Sequence, residues 1–168
     1  MSKTDSVSAI AQAVVDGLVA AGKTLATAES CTGGWIAKVL TDIAGSSQCF
    51  GYGIVSYSNG AKESLLGVDP ATILEHGAVS EQVVSEMAAG VLALSGADYA
   101  VAVSGIAGPD GGTAEKPVGT VWFGWASRGE GEIARQTQVH QLDGDREAIR
   151  VQTVILALQG IDERLKRG

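Results

Sequence analysis

Two kinds of hydrophobic spacing alternate along this chain, and the alternation limits the folds that it can adopt. Segments with an apolar residue about every fourth position predict helices, and short runs of β-forming residues between them predict strands. The predicted helices cover residues 6–21, 34–44, 59–66, 70–76, 80–95 and 145–159, and the predicted strands cover 24–28, 51–57, 99–103, 120–126 and 132–139. The charged tail at 162–168 is predicted to fray.

The last two predicted strands flank a glycine-containing turn at 127–131, which predicts an antiparallel hairpin. Helices that alternate with strands pack as layers on the two faces of a sheet. We therefore predict a three-layer α/β/α domain with a mixed, mostly parallel sheet that ends in an antiparallel hairpin. One domain is expected over residues 1–168, with its core over about 6–160. Ligands in such sheets bind beyond the carboxyl ends of the strands.

Composition and charge exclude several classes of protein. With 45% hydrophobic and 18% charged residues, the chain is unlike a disordered protein. The 12 basic and 19 acidic residues give a net charge of −7, so no nucleic-acid or membrane partner is expected. Cys31 and Cys49 are too few for a disulfide framework and fit a reducing compartment. With no leader-like or membrane-spanning stretch in the sequence, a cytoplasmic location is expected.

The first polar cluster, Glu-Ser-Cys-Thr-Gly-Gly at 29–34, lies between strand 24–28 and the next helix. Free amides at a helix N-terminus favour an anion or a developing oxyanion. Ser30 or Cys31 in such a turn is a candidate nucleophile if a base lies close. The simpler interpretation is that Ser30 or Thr32 only caps the helix.

The second cluster, Tyr57 to Lys62, follows strand 51–57. Lys62 is expected in the first turn of a short helix, where the helix dipole disfavours a cation. An anion or an activated hydroxyl beside Lys62 would offset that cost. Otherwise Lys62 is solvated, or pairs with Glu63 or Glu29.

A glycine-rich loop from Ser104 to Thr113 follows strand 99–103. Such a loop lets backbone amides approach a ligand closely, although Pro109-Asp110-Gly111 is also an ordinary turn sequence. This is the third predicted strand that ends in polar, glycine-rich residues, and the repetition favours a site at this edge of the sheet.

The last helix begins near Arg146, where the dipole again disfavours a cation. A phosphate near Arg146 is one explanation. The other is that Arg146 pairs with acidic neighbours, namely Asp143, Asp145 or Glu147.

The histidines give no sign of a metal site. His76 and His140 are the only two in the sequence, and their spacing to the cysteines is not that of metal ligands. A Ser-His-Asp triad would need one of them, and neither follows a loop of the nucleophile type. No dinucleotide-binding fingerprint follows a predicted strand.

Six stretches of the chain, taken in order, resemble the CinA C-terminal domain family. The resemblance covers roughly residues 6–160 and rests on Ala28-Glu29-Ser30-Cys31-Thr32-Gly33-Gly34, Thr41-Asp42-Ile43-Ala44-Gly45-Ser46-Ser47, Val55-Ser56-Tyr57-Ser58-Asn59 with Lys62, His76-Gly77-Ala78-Val79-Ser80, Ser104-Gly105-Ile106-Ala107-Gly108-Pro109-Asp110-Gly111-Gly112 and Lys116-Pro117-Val118-Gly119-Thr120-Val121. The chain is similar to the stand-alone form of the family, without the N-terminal domain that longer members carry.

The resemblance implies hydrolysis of the carboxamide of nicotinamide mononucleotide to nicotinate mononucleotide and ammonia, a step in pyridine nucleotide salvage. The expected partner is therefore a small nucleotide, and the resemblance implies no metal or organic cofactor. Ser30 would be the nucleophile, with Lys62 as its base, kept neutral by a low-dielectric pocket. Parallel strands ending at 28 and 57 would present both residues at one edge, and Tyr57 would orient Ser30 or relay the proton.

The substrate-binding residues expected with this mechanism come from the same clusters. Backbone amides would hold the oxyanion, and Arg146 with the 105–112 loop would hold the 5′-phosphate. The expected set is Cys31, Thr32, Gly33, Gly34, Asn59, Ser104, Gly105, Gly108 and Arg146.

Three alternatives to this interpretation stay open at this point. Cys31 is a rival nucleophile, because a thiol at a helix N-terminus has a lowered pKa. A non-catalytic module could use the same loops and Arg146 to bind a nucleotide phosphate. A competence-related interaction protein could use a tryptophan-containing surface. Because apolar helix faces in a chain of this size often pair, a homodimer is expected.

Overall fold

The computed structural model describes residues 2–168, so Met1 of the expected domain lies outside the described residues. The elements, in chain order, are α1 (Lys3–Ala21), β1 (Leu25–Glu29), α2 (Trp35–Thr41), a short 3₁₀ helix (Ser46–Gln48), β2 (Phe50–Val55), α3 (Asn59–Leu66), α4 (Pro70–His76), α5 (Glu81–Ser95), β3 (Tyr99–Gly105), β4 (Thr120–Arg128), β5 (Ile133–Gln141) and α6 (Arg146–Arg167). Within this part of the chain, no helix has the length and apolar character needed to cross a bilayer.

The five strands form one sheet in the order β2-β1-β3-β4-β5. β1 pairs in parallel with β2 and β3, whereas β3–β4 and β4–β5 are antiparallel, so the described pairings divide equally between the two kinds. Helices α1, α2 and α6 cover one face, and α3, α4 and α5 cover the other. The predicted α/β/α layers, mixed sheet and terminal hairpin are confirmed.

The two faces of the central strands carry side chains of different size. On β3, Val101 and Val103 pack towards α1 and α6, and Ala100 and Ala102 pack towards α5. Side chains alternate between the faces of a strand, so the small residues give α5 a shallow surface on which to lie close to the sheet.

A close contact between α5 and the end of α3 fixes the position of α3. Gly90 of α5 faces the carbonyl oxygen of Leu66, and a Cβ at Gly90 would overlap that oxygen. Leu66 is itself buried against α5. Because α3 carries Lys62 four residues earlier, this contact helps to place the Lys62 side chain.

Three helices differ in length from the prediction by three residues or more. α1 begins at Lys3 rather than residue 6, because Ser2 and Asp5 form a capping box at its N-terminus. α2 ends at Thr41 rather than residue 44, and the Thr41 hydroxyl donates to the carbonyls of Ala37 and Lys38, a bond that competes with a regular helix. α6 continues to Arg167, so the predicted fraying of 162–168 is wrong. Ile161 is buried and Leu165 packs against the core, so apolar burial outweighs the charge of the tail.

The carboxyl ends of three strands meet at one edge. In the register of the sheet, Glu29 at the end of β1 lies between Val55 of β2 and Val103 of β3. The three polar clusters that follow these strands therefore start side by side, as the sequence predicts.

Candidate active site

A pocket of about 330 Å³ lies at this edge. It is lined by residues 30–31 after β1, by Tyr57, Asn59 and Lys62 after β2, by 78–79 before α5, by 104–108 and 110–111 after β3, and by Arg146. A larger groove of about 680 Å³ lies between α1, α2 and α6. That groove includes neither Ser30 nor Lys62, so the smaller pocket is the candidate active site.

Ser30 and Lys62 are in direct contact in the pocket. The Lys62 Nζ lies 2.9 Å from the Ser30 Oγ, although the residues are 32 positions apart in the chain. Lys62 is 1% exposed and Ser30 is 8% exposed. The structure therefore brings together the hydroxyl and the amine that the sequence selects as nucleophile and base.

The remaining contacts of Lys62 leave room for the Ser30 proton when the amine is neutral. Its Nζ lies 2.7 Å from the carbonyl oxygen of Ser56 and 3.4 Å from that of Tyr57. A neutral amine has two N–H bonds and one lone pair, so with the two carbonyls accepting the N–H bonds, the lone pair is left for the Ser30 hydroxyl. Burial lowers the pKa of Lys62 from its ordinary value of 10.5.

Neither acidic residue considered as a partner pairs with Lys62. Within residues 2–168 no carboxylate forms an ion pair with it. The Glu29 carboxylate instead accepts from the Thr32 hydroxyl at 2.6 Å and from the amides of Ile36 and Ala37 at 2.8 and 3.0 Å. The expectation of a Lys62–Glu29 or Lys62–Glu63 pair is wrong.

Glu29 also changes the interpretation of the first cluster. Helix α2 has Gly34 at its N-cap position and no side-chain cap there, so Glu29 supplies the acceptors for its first amides. The capping role considered for Ser30 or Thr32 is wrong. The N-terminus of α2 is occupied by a carboxylate of the chain itself, and it is not free for a substrate anion.

Cys31 lines the pocket, but its surroundings disfavour the thiolate form that a cysteine nucleophile needs. Burial raises the pKa of its thiol to about 12, and the neighbouring Glu29 carboxylate adds to the rise. The lowered thiol pKa expected at a helix N-terminus is therefore not found. Because the thiolate is the reactive form of cysteine, these surroundings favour Ser30 over Cys31 as the candidate nucleophile.

Tyr57 lies at the rim of the pocket, and its side chain faces outwards. It is 63% exposed, and its hydroxyl accepts from the Arg146 Nη2 at 3.3 Å. Only its backbone carbonyl reaches Lys62. Within the described residues its hydroxyl forms no hydrogen bond to Ser30, which corrects the expectation that it orients Ser30.

Arg146 is an exposed residue of the pocket lining. Its Nη1 donates to the carbonyl of Gly108 at 2.7 Å, and no described acidic residue forms an ion pair with it. The expected pairing of Arg146 with a neighbouring carboxylate is therefore wrong. The same bond ties the start of α6 to the glycine-rich loop.

The other predicted substrate-binding residues divide into two groups. Residues on the pocket wall are Asn59, Ser104, Gly105 and Gly108. Residues outside the lining are Thr32, which is fully buried, Gly33, which is exposed, and Gly34, which lies against Val55. Their expected direct contact with substrate is not supported by this placement.

Sequence reasoning missed one wall of the pocket. Ala78 and Val79 line it, and the Lys116 Nζ holds this segment by donating to the His76 carbonyl at 2.7 Å. The Ser56 carbonyl that accepts from Lys62 was missed as well. Both segments belong to stretches that carry the family resemblance, and that resemblance was the available signal, but backbone groups and small apolar residues gave no chemical reason to place them in the site. Within residues 2–168, no group of three or more His, Cys, Asp or Glu residues is placed to hold a metal ion.

The fold and the site define a three-layer α/β protein with a serine–lysine pair at the carboxyl edge of its sheet. The profile of the CinA C-terminal domain matches residues 7–165, and the chain belongs to this family.

Curated relatives and solved structures agree with this assignment. Nicotinamide-nucleotide amidohydrolase PncC of Escherichia coli K12 is 57% identical over 151 residues, covering 89% of each chain. The protein of the same name from Enterobacter agglomerans is 61% identical over 142 residues, covering 84% of this chain and 85% of the relative. A CinA superfamily crystal structure from Klebsiella pneumoniae 700603 superposes with a TM-score of 0.90 at 41% identity, covering 96% of this chain and 99% of the other.

Proposed function

We propose that the chain hydrolyses the carboxamide of nicotinamide mononucleotide to nicotinate mononucleotide and ammonia. Support comes from the relatives named nicotinamide-nucleotide amidohydrolase, which match most of the chain. The observation that carries the chemistry is the 2.9 Å contact between the Lys62 Nζ and the Ser30 Oγ in a pocket. An amide is a poor electrophile, so a nucleophile with an adjacent base is the arrangement that its hydrolysis needs.

In the proposed acylation step, neutral Lys62 removes the proton from the Ser30 hydroxyl as Oγ attacks the carboxamide carbon. The resulting tetrahedral intermediate carries the negative charge on the former carbonyl oxygen. The Lys62 ammonium then gives its proton to the departing nitrogen as the C–N bond breaks. Ammonia leaves and an acyl-serine remains.

In the proposed deacylation step, water replaces ammonia in the pocket. Lys62, neutral again, takes a proton from the water as its oxygen attacks the acyl carbon. The bond to the Ser30 Oγ breaks, Oγ recovers the proton from Lys62, and the nicotinate product leaves. Lys62 thus passes one proton in each direction during each half of the reaction.

For the substrate, we propose that Arg146 and the 104–111 loop hold the 5′-phosphate at the entrance. Arg146 has no acidic partner in the described structure, and its guanidinium can form paired bonds with a phosphate. Asn59 and Ser104 line the same pocket as Arg146 and Ser30, and we propose that they offer polar groups to the ribose. Amides of Cys31, Ser104 or Gly105 are the proposed oxyanion donors.

The test is ammonia release from nicotinamide mononucleotide by the wild type, Ser30→Ala and Cys31→Ala. We expect Ser30→Ala to lower kcat by roughly 10⁴-fold or more, and Cys31→Ala to keep it within about fivefold, since a thiol with a pKa near 12 takes no part. Loss of activity in Cys31→Ala with a folded protein would instead identify the thiol as nucleophile. Saturable nucleotide binding without ammonia release by the wild type would favour the non-catalytic module. Neither binding nor turnover would favour the interaction protein.

We also propose that residues 1–168 act as one domain in a homodimer and work in the cytoplasm. Two free, buried cysteines are compatible with a reducing compartment. The edge strand β2, Phe50–Val55, has no charged side chain, and Tyr52 and Val55 are nearly half exposed. An uncharged edge with unpaired backbone groups can pair with the same strand of a second copy, whereas the net charge of −7 opposes nucleic acid.

A further inference from the structure

Arg150 of α6 holds the turn that follows Ser30 by two hydrogen bonds. Its Nε donates to the Cys31 carbonyl and its Nη2 to the Thr32 carbonyl, each at 3.0 Å. Its guanidinium carbon lies 5.5 Å from the centre of the Trp35 ring. Arg150 does not line the pocket, so no direct contact with the substrate is expected for it.

The two carbonyls fix the direction of the neighbouring amides. A trans peptide points its C=O and N–H in opposite directions. The peptides of this turn are trans, since the one cis bond among the described residues is Gly108-Pro109. Since the Cys31 carbonyl points at Arg150, the Thr32 N–H points away from it. Within residues 2–168, neither the Cys31 N–H nor the Thr32 N–H donates to an acceptor of another residue.

The next peptide of the turn is held in the same way. The Gly33 N–H donates to the Ser30 carbonyl at 3.1 Å, which closes the turn. Its partner in the peptide, the Thr32 carbonyl, is the second acceptor of Arg150. The Arg150 fork therefore sets the orientation of the Cys31–Thr32 and Thr32–Gly33 peptides, which follow the Ser30–Cys31 peptide.

We propose that Arg150 is a positioning residue for the amide hydrolysis, holding the turn after Ser30 so that the N–H of Cys31, which lines the pocket, stays open to the oxyanion. This inference rests on the proposed function. Arg150 also brings a positive charge close to the turn. That charge favours a negative charge that develops near the turn during the reaction. Its planar fork is needed, because one cation must hold two carbonyls in fixed directions.

Arg128 provides a matched control within the same chain. Its Nε donates to the Ala97 carbonyl and its Nη2 to the Leu92 carbonyl, each at 2.8 Å. It therefore binds two backbone carbonyls in the same manner, but at the end of β4 that pairs with the start of β3, away from the site. A loss due only to structural damage should affect both arginines alike.

The experiment measures kcat, KM and thermal stability for Arg150→Ala, Arg150→Lys, Arg128→Ala and the wild type with nicotinamide mononucleotide. We expect Arg150→Ala to lower kcat about 10²-fold, in line with the loss of oxyanion stabilisation in other hydrolases, and to change KM less than about threefold. Arg150→Lys should recover part of kcat. Arg128→Ala should lose comparable stability and keep kcat within about twofold.

A second readout does not depend on the substrate. The rate at which a fluorophosphonate labels Ser30, followed by intact mass, should fall in Arg150→Ala and not in Arg128→Ala. If the wild type is labelled but does not hydrolyse the nucleotide, the proposed function fails and the labelling rates still decide the role of Arg150. Equal rates and equal kcat in the two alanine variants, or a wild type that is neither active nor labelled, would overturn the inference.

Discussion

At the scale of single residues, the site depends on how the chain distributes its charges. Glu29 lies beside Ser30 in the sequence, and as an ion pair with Lys62 it would keep the amine protonated. The structure instead directs the Glu29 carboxylate to Thr32 and to the first amides of α2. Lys62 is left buried without a counterion, and burial lowers its pKa. The same carboxylate helps to raise the pKa of the Cys31 thiol, so one residue favours the lysine base and suppresses the competing thiol.

The first prediction concerns the pH dependence of activity. The base must be neutral, so kcat/KM should rise with pH as Lys62 loses its proton, and this limb should lie below the ordinary lysine value of 10.5. The measurement is kcat/KM of the wild type across pH. Lys62→Arg, which stays protonated, should be inactive throughout the range.

The lowered pKa of Lys62 also predicts the direction in which stability changes with pH. Between the lowered pKa of Lys62 and 10.5 the unfolded chain binds a proton that the folded chain lacks, so the free energy of unfolding should rise with pH in that window. Denaturant titrations of wild type and Lys62→Met at several pH values isolate this contribution. A difference between the two proteins that does not change with pH would contradict it.

At the scale of elements, the distance between α3 and α5 decides where Lys62 lies. Gly90 allows the carbonyl of Leu66 to approach the α5 backbone, and Leu66 ends the helix that begins near the site. Since α3 has only eight residues, a shift at its end moves the whole helix. Packing on the far face of the sheet therefore contributes to the geometry of the serine–lysine pair.

The second prediction tests this contact with two Gly→Ala changes in helix interiors. Gly90→Ala should destabilise the protein by about 1–3 kcal/mol through overpacking and should lower kcat by displacing Lys62. Gly17→Ala has only the tip of the Leu165 side chain as a neighbour, at 3.2 Å. It should be neutral or stabilising by up to about 1 kcal/mol. Chemical denaturation and ammonia release measure the two effects, and an unchanged kcat in Gly90→Ala would contradict the link to Lys62.

At the scale of the whole molecule, the sheet has two unlike edges. β5 at one edge is rich in polar residues, whereas β2 at the other has the sequence Phe-Gly-Tyr-Gly-Ile-Val. Polar or charged side chains protect an edge from pairing, and β2 lacks charged ones. A two-fold axis beside β2 would join the sheets of two copies. The strands in contact would then carry no charge, although the net charge of each chain is −7.

The third prediction concerns the proposed dimer. A Cβ at Gly51 meets no atom within 4 Å, so Gly51→Lys fits the monomer but sets like charges across the two-fold axis. Gly129→Lys makes the same change in the β4–β5 loop as a control. Light scattering after size exclusion should give a dimer for the wild type and Gly129→Lys and a monomer for Gly51→Lys. A monomeric wild type would refute the dimer.

The sequence by itself determined the α/β alternation, the positions of the elements and the three polar clusters that follow neighbouring strands. These features follow from short-range physics, because apolar periodicity and glycine stops act within one or two turns. The polar motifs also carry the family resemblance, which a local comparison of residues can detect. Ser30 and Lys62 were accessible to prediction for these reasons.

Only the tertiary structure decided what the site residues contact. Strand order and helix packing decide that the Glu29 carboxylate accepts from the first amides of α2 and that Tyr57 contacts Arg146. They also bring Arg150 to Cys31, which lies 119 positions earlier in the chain. The residues near a polar side chain in the sequence offer it several possible hydrogen-bond partners. The free energies of these alternative contacts differ little. The assembled sheet selects among them, because burial makes each unpaired polar group costly and leaves one consistent set of hydrogen bonds.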